Sequence, residues 1–190
     1  MTQTPLQTER IRLEPLIEEH FELEVELDSD PEVMRYLTGC ARTREQVQHA
    51  HEMRLETARP VDGLGFWLGF VEDEFVGWWM LEPAGWAEGE LVPGEVELGF
   101  RMLRRHWRKG LASEGAGEVM RHAFEDLGMN RLYTYTMAVN AGSQAVSRHI
   151  GLRYVRTFHD EDEVGPEGFE QGAVEYSITA DEWRAAQAAG

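Results

Sequence analysis

A short basic segment in an otherwise acidic chain is the part of this sequence most suggestive of chemistry. Five cations lie within nine consecutive positions: Arg101, Arg104, Arg105, Arg108 and Lys109, the last being the single lysine of the chain. Gly110 follows, and the sequence then takes on the apolar spacing of an amphipathic helix. The start of a helix offers unpaired backbone N–H groups and a partial positive charge, so this segment predicts a site for an anion, with phosphate the leading candidate.

Two common phosphate loops are absent from the sequence. The Walker pattern GxxxxGK[ST] does not occur, and no GxGxxG follows a predicted strand, so nucleotide sites of those two kinds are excluded. The residues by themselves leave one alternative open, in which the segment is a solvated basic loop that caps an ordinary helix.

Alternating strands and helices must position this segment. Apolar periodicity and turn residues predict strands at residues 9–15, 64–71, 75–81, 95–102, 132–139, 151–158 and 173–179. They predict helices at residues 18–27, 31–37, 43–59, 110–128, 140–149 and 180–189. Thr43 and Gln46 form a capping box, and Asn140 is an N-cap. This order indicates one mixed α/β domain over residues 1–190.

The composition limits the class of protein. The formal net charge is −17, which argues against general nucleic-acid binding and suits cationic substrates such as amines, although the charge also serves solubility alone. No stretch is long and apolar enough for a membrane helix, and the polar N-terminus lacks a secretory signal, so we expect a cytoplasmic protein without a membrane partner. Cys40 is the single cysteine, and no metal-binding pattern is present, so we expect no metal.

In the order of its motifs the chain resembles the GNAT acyltransferase superfamily, and within it the branch of ribosomal-protein N-terminal acetyltransferases. Residues 107–112 (WRKGLA) are similar to the superfamily's pyrophosphate-binding motif. The other matching motifs are TERIRL at 8–13, DPEV at 30–33, ELGF at 97–100, NAGS at 140–143 and IGL at 150–152. Together these motifs cover the chain from about residue 8 to about residue 180.

The resemblance implies a fold and a cosubstrate. The implied fold is mixed α/β, with a central, twisted, mostly antiparallel sheet of six to seven strands, flanked by helices and splayed at the acyl-CoA site. Acetyl-CoA would lay its pantetheine along residues 100–103 and its pyrophosphate on residues 108–112. The implied cofactor-binding residues are Phe100, Met102, Leu103, Arg108, Lys109, Gly110, Leu111, Ala112 and Asn140.

The resemblance also implies direct attack of an amine on the thioester, without a covalent enzyme intermediate. Glu97 is the candidate base, and the alternative is that it faces solvent like Glu95. Asn140 caps its helix and, by the resemblance, also contacts the pantetheine. Ser143 is the candidate acid for the leaving thiolate, and Ser147 is the alternative, since other branches of the superfamily place a tyrosine acid there.

The acceptor amine stays open between a protein N-terminus and a small molecule. An arginine near the cleft, Arg101 or Arg131, would favour a longer acyl group such as succinyl, and a CoA-binding domain without turnover is a further alternative. The resemblance allows a homodimer, because dimers are frequent in this branch.

The sequence departs from the usual pattern of the family at two residues and in two segments. Leu152 stands where phenylalanine is usual, which is a conservative change. Arg108 stands where glycine is common, and it either points at solvent or adds a phosphate contact. The segments 83–94 and 160–172 are less typical, and we expect both near the acceptor, where Trp86 is a candidate contact.

Overall fold

The computed structural model describes residues 3–57, 61–86, 89–159 and 165–189. Within these residues the strands are β1 (Leu6–Gln7), β2 (Arg12–Pro15), β3 (Gly65–Val71), β4 (Glu74–Pro83), β5 (Glu95–Met102), β6 (Arg131–Met137), β7 (Arg153–Phe158) and β8 (Ala173–Thr179). The α-helices are α1 (Phe21–Asp28), α2 (Pro31–Met34), α3 (Arg44–Thr57), α4 (Leu111–Arg121), α5 (Ala141–His149) and α6 (Ala180–Ala189). None of these helices is both long and apolar enough to span a membrane.

The predicted mixed α/β fold with a mostly antiparallel sheet is confirmed. The described residues form one sheet of eight strands in the order β1-β2-β3-β4-β5-β6-β8-β7, one strand more than the upper expectation. The additional strand is β1, whose Leu6 and Gln7 pair with Leu13 and Arg12. A two-residue strand carries too short a pattern to be detected by periodicity. The predicted helix end at 58–60 and residues 160–164 of the acidic loop lie outside the described residues.

The predicted helix caps are present. The N–H of Thr43 donates to the Gln46 side chain at 2.9 Å and the N–H of Gln46 donates to the Thr43 hydroxyl at 3.3 Å, which completes the capping box. Asn140 Oδ1 accepts the N–H of Ser143 at 3.1 Å, as an N-cap should. After α4 the chain continues as a π-helical turn, His122–Asp126, and Gly128 then ends it with a positive φ of 67°.

The two faces of the sheet pack against different helices. Consecutive residues of a strand point to opposite faces, so Trp78 and Trp79 in β4 enter different cores. Trp79 is fully buried in the larger core, which includes Val119 and Met120 of α4. Trp78 belongs to a second core, which includes Leu27 of α1.

The junction between β5 and β6 is the one parallel pair of the described sheet, and it is short. Pairing runs from Glu95 opposite Arg131 to Glu97 opposite Tyr133 and then stops. On its other side, β5 pairs with β4 along its length from Val96 to Met102. The end of β5 beyond Glu97 is therefore open towards β6, which is the splay that the resemblance implied.

Candidate active site

The turn between β5 and α4 is shaped to bind an anion. We call residues 107–112 the phosphate turn. Arg108 and Gly110 both have positive φ, at 60° and 81°. The N–H groups of Arg108, Lys109 and Gly110 donate to no acceptor among the described residues, and the first N–H groups of α4 add to them. Several unsatisfied donors next to a helix N-terminus form a site for a pyrophosphate-like group.

Two tryptophan side chains donate hydrogen bonds to carbonyl oxygens at the end of β5 and in the phosphate turn. Trp79 Nε1 donates to the carbonyl oxygen of Ala112 at 3.0 Å, and its ring packs so closely on α4 that a Cβ at Gly115 would lie 2.4 Å from it. Trp107 Nε1 donates to the carbonyl oxygen of Met102 at 2.9 Å. Because the carbonyl and the following N–H of a peptide point in opposite directions, bonds to the carbonyls also set the direction of the N–H groups.

The basic segment divides into cations with partners and cations without. Arg104 pairs with Asp30 at 3.2 Å, and Arg105 bridges Glu26 and Glu74 at 2.7 and 2.9 Å. Arg108 and Lys109 are exposed and pair with no carboxylate among the described residues. The charge available to an anionic ligand is therefore carried by these two residues, and the interpretation that the whole segment serves the anion is too broad.

Arg101 lies in a buried ionic network on the opposite face of the sheet from α4. Its guanidinium contacts Asp28, which also pairs with Arg54 at 3.0 Å, and it stacks over Trp78 at 4.9 Å. Burial lowers the pKa of Arg101 to about 10, even though the Asp28 carboxylate acts in the opposite direction. An arginine held in this way is not free to bind the carboxylate of a longer acyl group.

The open edge of β5 offers main-chain groups to a ligand, but fewer than expected. The N–H of Leu103 donates to Val76 in β4 at 3.0 Å, so the odd-numbered residues of β5 direct their main-chain groups to β4. The even-numbered residues face the other side, where the carbonyl of Leu98 and the main-chain groups of Phe100 and Met102 lie beyond the last pair with β6. Trp107 already occupies the Met102 carbonyl. Phe100 and the unpredicted Leu98 are thus better placed than Leu103 to hydrogen-bond a pantetheine arm.

An open cleft of about 240 Å³ lies beside the short junction of β5 and β6. Its lining combines carboxylates with aromatic rings and one guanidinium. It is formed by Glu82, Pro83, Ala84, Gly85, Trp86, Val92, Glu95, Glu97, Arg131, Tyr133 and Tyr135. The described part of the segment 83–94 therefore does contribute to the cleft, including Trp86.

Glu97 is half-buried in this cleft, between residues that the sequence did not single out. Glu82 in β4 and Tyr133 in β6 are its direct partners on the two neighbouring strands. Partial burial, and then the carboxylates of Glu175 and Glu97, raise the pKa of Tyr135, which places the charge of Glu97 within reach of that ring. Glu82 and Tyr133 could have been found only from the strand order and register, which the linear pattern does not supply.

A series of ion pairs runs from the cleft across β8 to β7. Arg131 pairs with Glu95 at 2.6 Å and contacts Glu175, which in turn pairs with Arg156 at 2.7 Å. Arg131 is therefore held by two carboxylates and is not available to a carboxylate-bearing acyl group. Among the described residues there is no group of three or more His, Cys, Asp or Glu side chains that could hold a metal ion.

Asn140 caps α5, Ser143 lies in the first turn of that helix, and Ser147 lies one turn later. The Ser147 side chain is buried, and its hydroxyl donates to the carbonyl oxygen of Ser143 at 3.2 Å. That bond satisfies the helix backbone and accounts for Ser147 structurally. Ser143 is only partly buried at the first turn, so the geometry favours it over Ser147 as a contact for a thiol.

The backbone of Arg108 is left-handed, with a φ of 60°, which explains why glycine is common at this position. This conformation leads to a prediction about stability. A left-handed conformation costs an L-residue about 1–2 kcal/mol, while glycine adopts it freely at an entropic cost of about 0.5–1 kcal/mol. We expect Arg108→Gly to raise the free energy of unfolding by up to about 1 kcal/mol, seen as a melting temperature up to about 4 °C higher without ligand.

The matched control for this prediction is Lys109→Gly. It removes the same charge one residue later, where φ is not positive, so we expect it to lower the melting temperature. A lower melting temperature for Arg108→Gly would show that its guanidinium makes a stabilising contact that outweighs the strain.

Comparison with known proteins agrees with this geometry. The family model described as the acetyltransferase (GNAT) domain matches residues 10–153. FsC-acetyl coenzyme A-N(2)-transacetylase of Aspergillus fumigatus is 41% identical over 184 residues, which cover 95% of this chain and 78% of that protein.

Solved structures share the fold. A protein of T. thermophilus described as an acetyltransferase has a TM-score of 0.76 at 25% identity, covering 100% of this chain and 96% of the other. RimL, a ribosomal L7/L12 α-N-protein acetyltransferase solved with coenzyme A, has a TM-score of 0.75 at 15% identity, covering 94% and 99% of the two chains. From the splayed sheet, the phosphate turn, the family match and the fungal relative together, it follows that the chain belongs to the GNAT acetyltransferase family and is an N-acetyltransferase with acetyl-CoA as its cosubstrate.

Proposed function

We propose that this enzyme acetylates the primary amine of a cationic small molecule, and that it does so as a single domain over residues 1–190 in the cytoplasm. The observation that carries the proposal is the lining of the cleft, in which the carboxylates of Glu82, Glu95 and Glu97 face one guanidinium, Arg131. A cleft with this charge balance attracts cations. The name of the fungal relative gives an N2 nitrogen as its acceptor, which supports an amine here.

The aromatic lining supports the same class of acceptor. Trp86, Tyr133 and Tyr135 surround the carboxylates, and the faces of such rings attract an ammonium group. Arg101 and Arg131 are both held by carboxylates, which supports acetyl over succinyl as the transferred group.

Each part of the site then has a separate task. Acetyl-CoA supplies the activated thioester. The N–H groups of the phosphate turn bind the pyrophosphate, while Leu98 and Phe100 orient the pantetheine. Glu97 accepts a proton from the acceptor ammonium, directly or through one water, so that the amine can attack. The hydroxyl of Ser143, on the turn capped by Asn140, hydrogen-bonds the departing thiolate.

Three acceptors of equal length test the charge preference. With acetyl-CoA, we expect kcat/KM, measured by thiol release, to fall in the order cadaverine, 5-aminopentan-1-ol and 5-aminopentanoate. About 1.4 kcal/mol of net electrostatic preference would separate the first from the last at least about tenfold. Equal use of the anionic amine would contradict a cationic acceptor, and acetylation of a short peptide in preference to all three would assign a protein N-terminus instead.

A further inference from the structure

We propose that Arg10 is a positioning residue for cosubstrate binding: held by Glu114, it sets the direction of the Gly110 N–H in the phosphate turn. The inference deepens the acetyl-CoA site and depends on the proposed placement of the pyrophosphate at that turn. We call Thr8, Arg10 and Glu114 the N-terminal latch.

Arg10 reaches the turn directly, although 99 positions separate it from Lys109 in the sequence. Its Nη1 donates to the carbonyl oxygen of Lys109 at 3.1 Å. Its Nη2 lies so close that a Cβ on Gly110 would be 3.3 Å away. Because a trans peptide directs its carbonyl and its N–H to opposite sides, this bond directs the N–H of Gly110 away from Arg10 and keeps it available to an anion.

Glu114, in the first turn of α4, holds the guanidinium in place. Its Oε2 accepts from Arg10 Nε at 2.6 Å, and its Oε1 accepts from the Thr8 hydroxyl at 2.6 Å and from the Arg10 N–H at 3.0 Å. Partial burial raises the pKa of Glu114, but the hydrogen bonds from Thr8 and Arg10 outweigh it and lower that pKa overall. The carboxylate is therefore ionised at neutral pH, and Arg10 neutralises a charge that would otherwise repel a pyrophosphate.

The latch is anchored in the core and is not a loose surface contact. Ile11 and Leu13, which follow Arg10, are fully buried in the larger core. Thr8 Oγ1 also accepts the N–H of Ile11 at 2.8 Å, which fixes the start of this segment. The phosphate turn is thus held through Lys109 by Arg10 and through Ala112 by Trp79.

The first experiment compares Arg10→Ala with the wild type by calorimetric titration of acetyl-CoA and by steady-state kinetics. Loss of a charge-assisted network predicts that Kd and KM for acetyl-CoA rise between about tenfold and a hundredfold, with kcat at saturation unchanged. Arg12→Ala is the matched control. Arg12 is two residues further on, 40% exposed against 46% for Arg10, and it pairs with Glu14 and Asp73 away from the turn. We expect its Kd to stay within about twofold of the wild type.

A shortened thioester separates positioning from a general loss of structure. S-acetylpantetheine has no pyrophosphate, so we expect the wild type and Arg10→Ala to use it with equal kcat/KM. If Arg10→Ala loses activity with both acetyl-CoA and S-acetylpantetheine, the proposal is overturned. It is also overturned if the variant loses activity with neither of them. The isosteric Glu114→Gln keeps the shape of the latch and removes the carboxylate that holds Arg10, so the guanidinium is held less firmly and we expect an intermediate Kd. It provides the same comparison should Arg10→Ala fail to fold.

Gly110→Glu distinguishes failure of this inference from failure of the site itself. If Gly110→Glu loses acetyl-CoA binding while Arg10→Ala binds like the wild type, the site stands and the role of Arg10 is refuted. If both variants bind like the wild type, the pyrophosphate lies elsewhere, and the inference falls with the site.

Discussion

Gly110→Glu is expected to raise the Kd for acetyl-CoA by about 100-fold or more while the protein stays folded. A carboxylate at this position would meet the pyrophosphate as a like charge, which costs several kcal/mol. The positive φ of 81° and the nearby Arg10 guanidinium add strain for any side chain. Calorimetric titration measures the loss of binding, and a melting curve checks the fold.

Gly117→Glu is the matched control for this change. Gly117 lies in α4, the helix that Gly110 precedes. It has no positive φ, and a Cβ there would meet nothing within 4 Å. We expect it to bind acetyl-CoA like the wild type. Gly110→Ala isolates the backbone strain from the charge, with a smaller expected loss of about tenfold. If Gly110→Glu and Gly117→Glu bound acetyl-CoA equally well, the phosphate turn would not be part of the acetyl-CoA site.

Glu97→Gln is expected to lower kcat by about 100-fold or more with an unchanged Kd for acetyl-CoA. General base catalysis contributes about 10²–10⁴-fold, and the amide that replaces the carboxylate has the same shape but accepts no proton. Steady-state kinetics with a varied amine at saturating acetyl-CoA measures kcat, and calorimetric titration measures the Kd for acetyl-CoA.

Glu95→Gln gives the comparison that identifies a base. Glu95 lines the same cleft two residues earlier, but it pairs with Arg131 at 2.6 Å. We expect this variant to raise KM for a cationic acceptor without a comparable loss of kcat. If Glu97→Gln retained more than half of the wild-type kcat, another group would have to accept the proton of the acceptor ammonium. The Glu97 carboxylate would then serve only to attract the cationic acceptor.

Local patterns in the sequence predicted those parts of the site that depend on neighbouring residues. Gly110, the cap at Asn140 and the strand that carries Glu97 each depend on a few adjacent positions, and each of these elements is found where the pattern predicted it. Propensity and capping act over a turn or less, so a linear pattern records them well.

Contacts between distant segments could not be predicted in this way. Arg101 looked available to an anion, but its partner Asp28 is 73 positions earlier in the chain. Glu82 and Tyr133 are recognisable as neighbours of Glu97 only once β4, β5 and β6 are known to be adjacent and in register. The order and register of strands result from tertiary packing of the whole sheet, to which short segments contribute little information.

The short β5–β6 pairing makes the sheet two half-sheets joined at a narrow seam. Three residue pairs hold this seam, whereas β4 and β5 share seven. A pantetheine arm lying along Leu98 and Phe100 would supply the hydrogen-bond partners that β6 withholds from β5. Acetyl-CoA then acts as a missing strand of the fold, so amide hydrogen exchange in β5 should slow on binding, and ligand at about 100 times its Kd should add about 2.7 kcal/mol of stability. On the proposed placement of the pantetheine, we expect cosubstrate binding to complete the sheet.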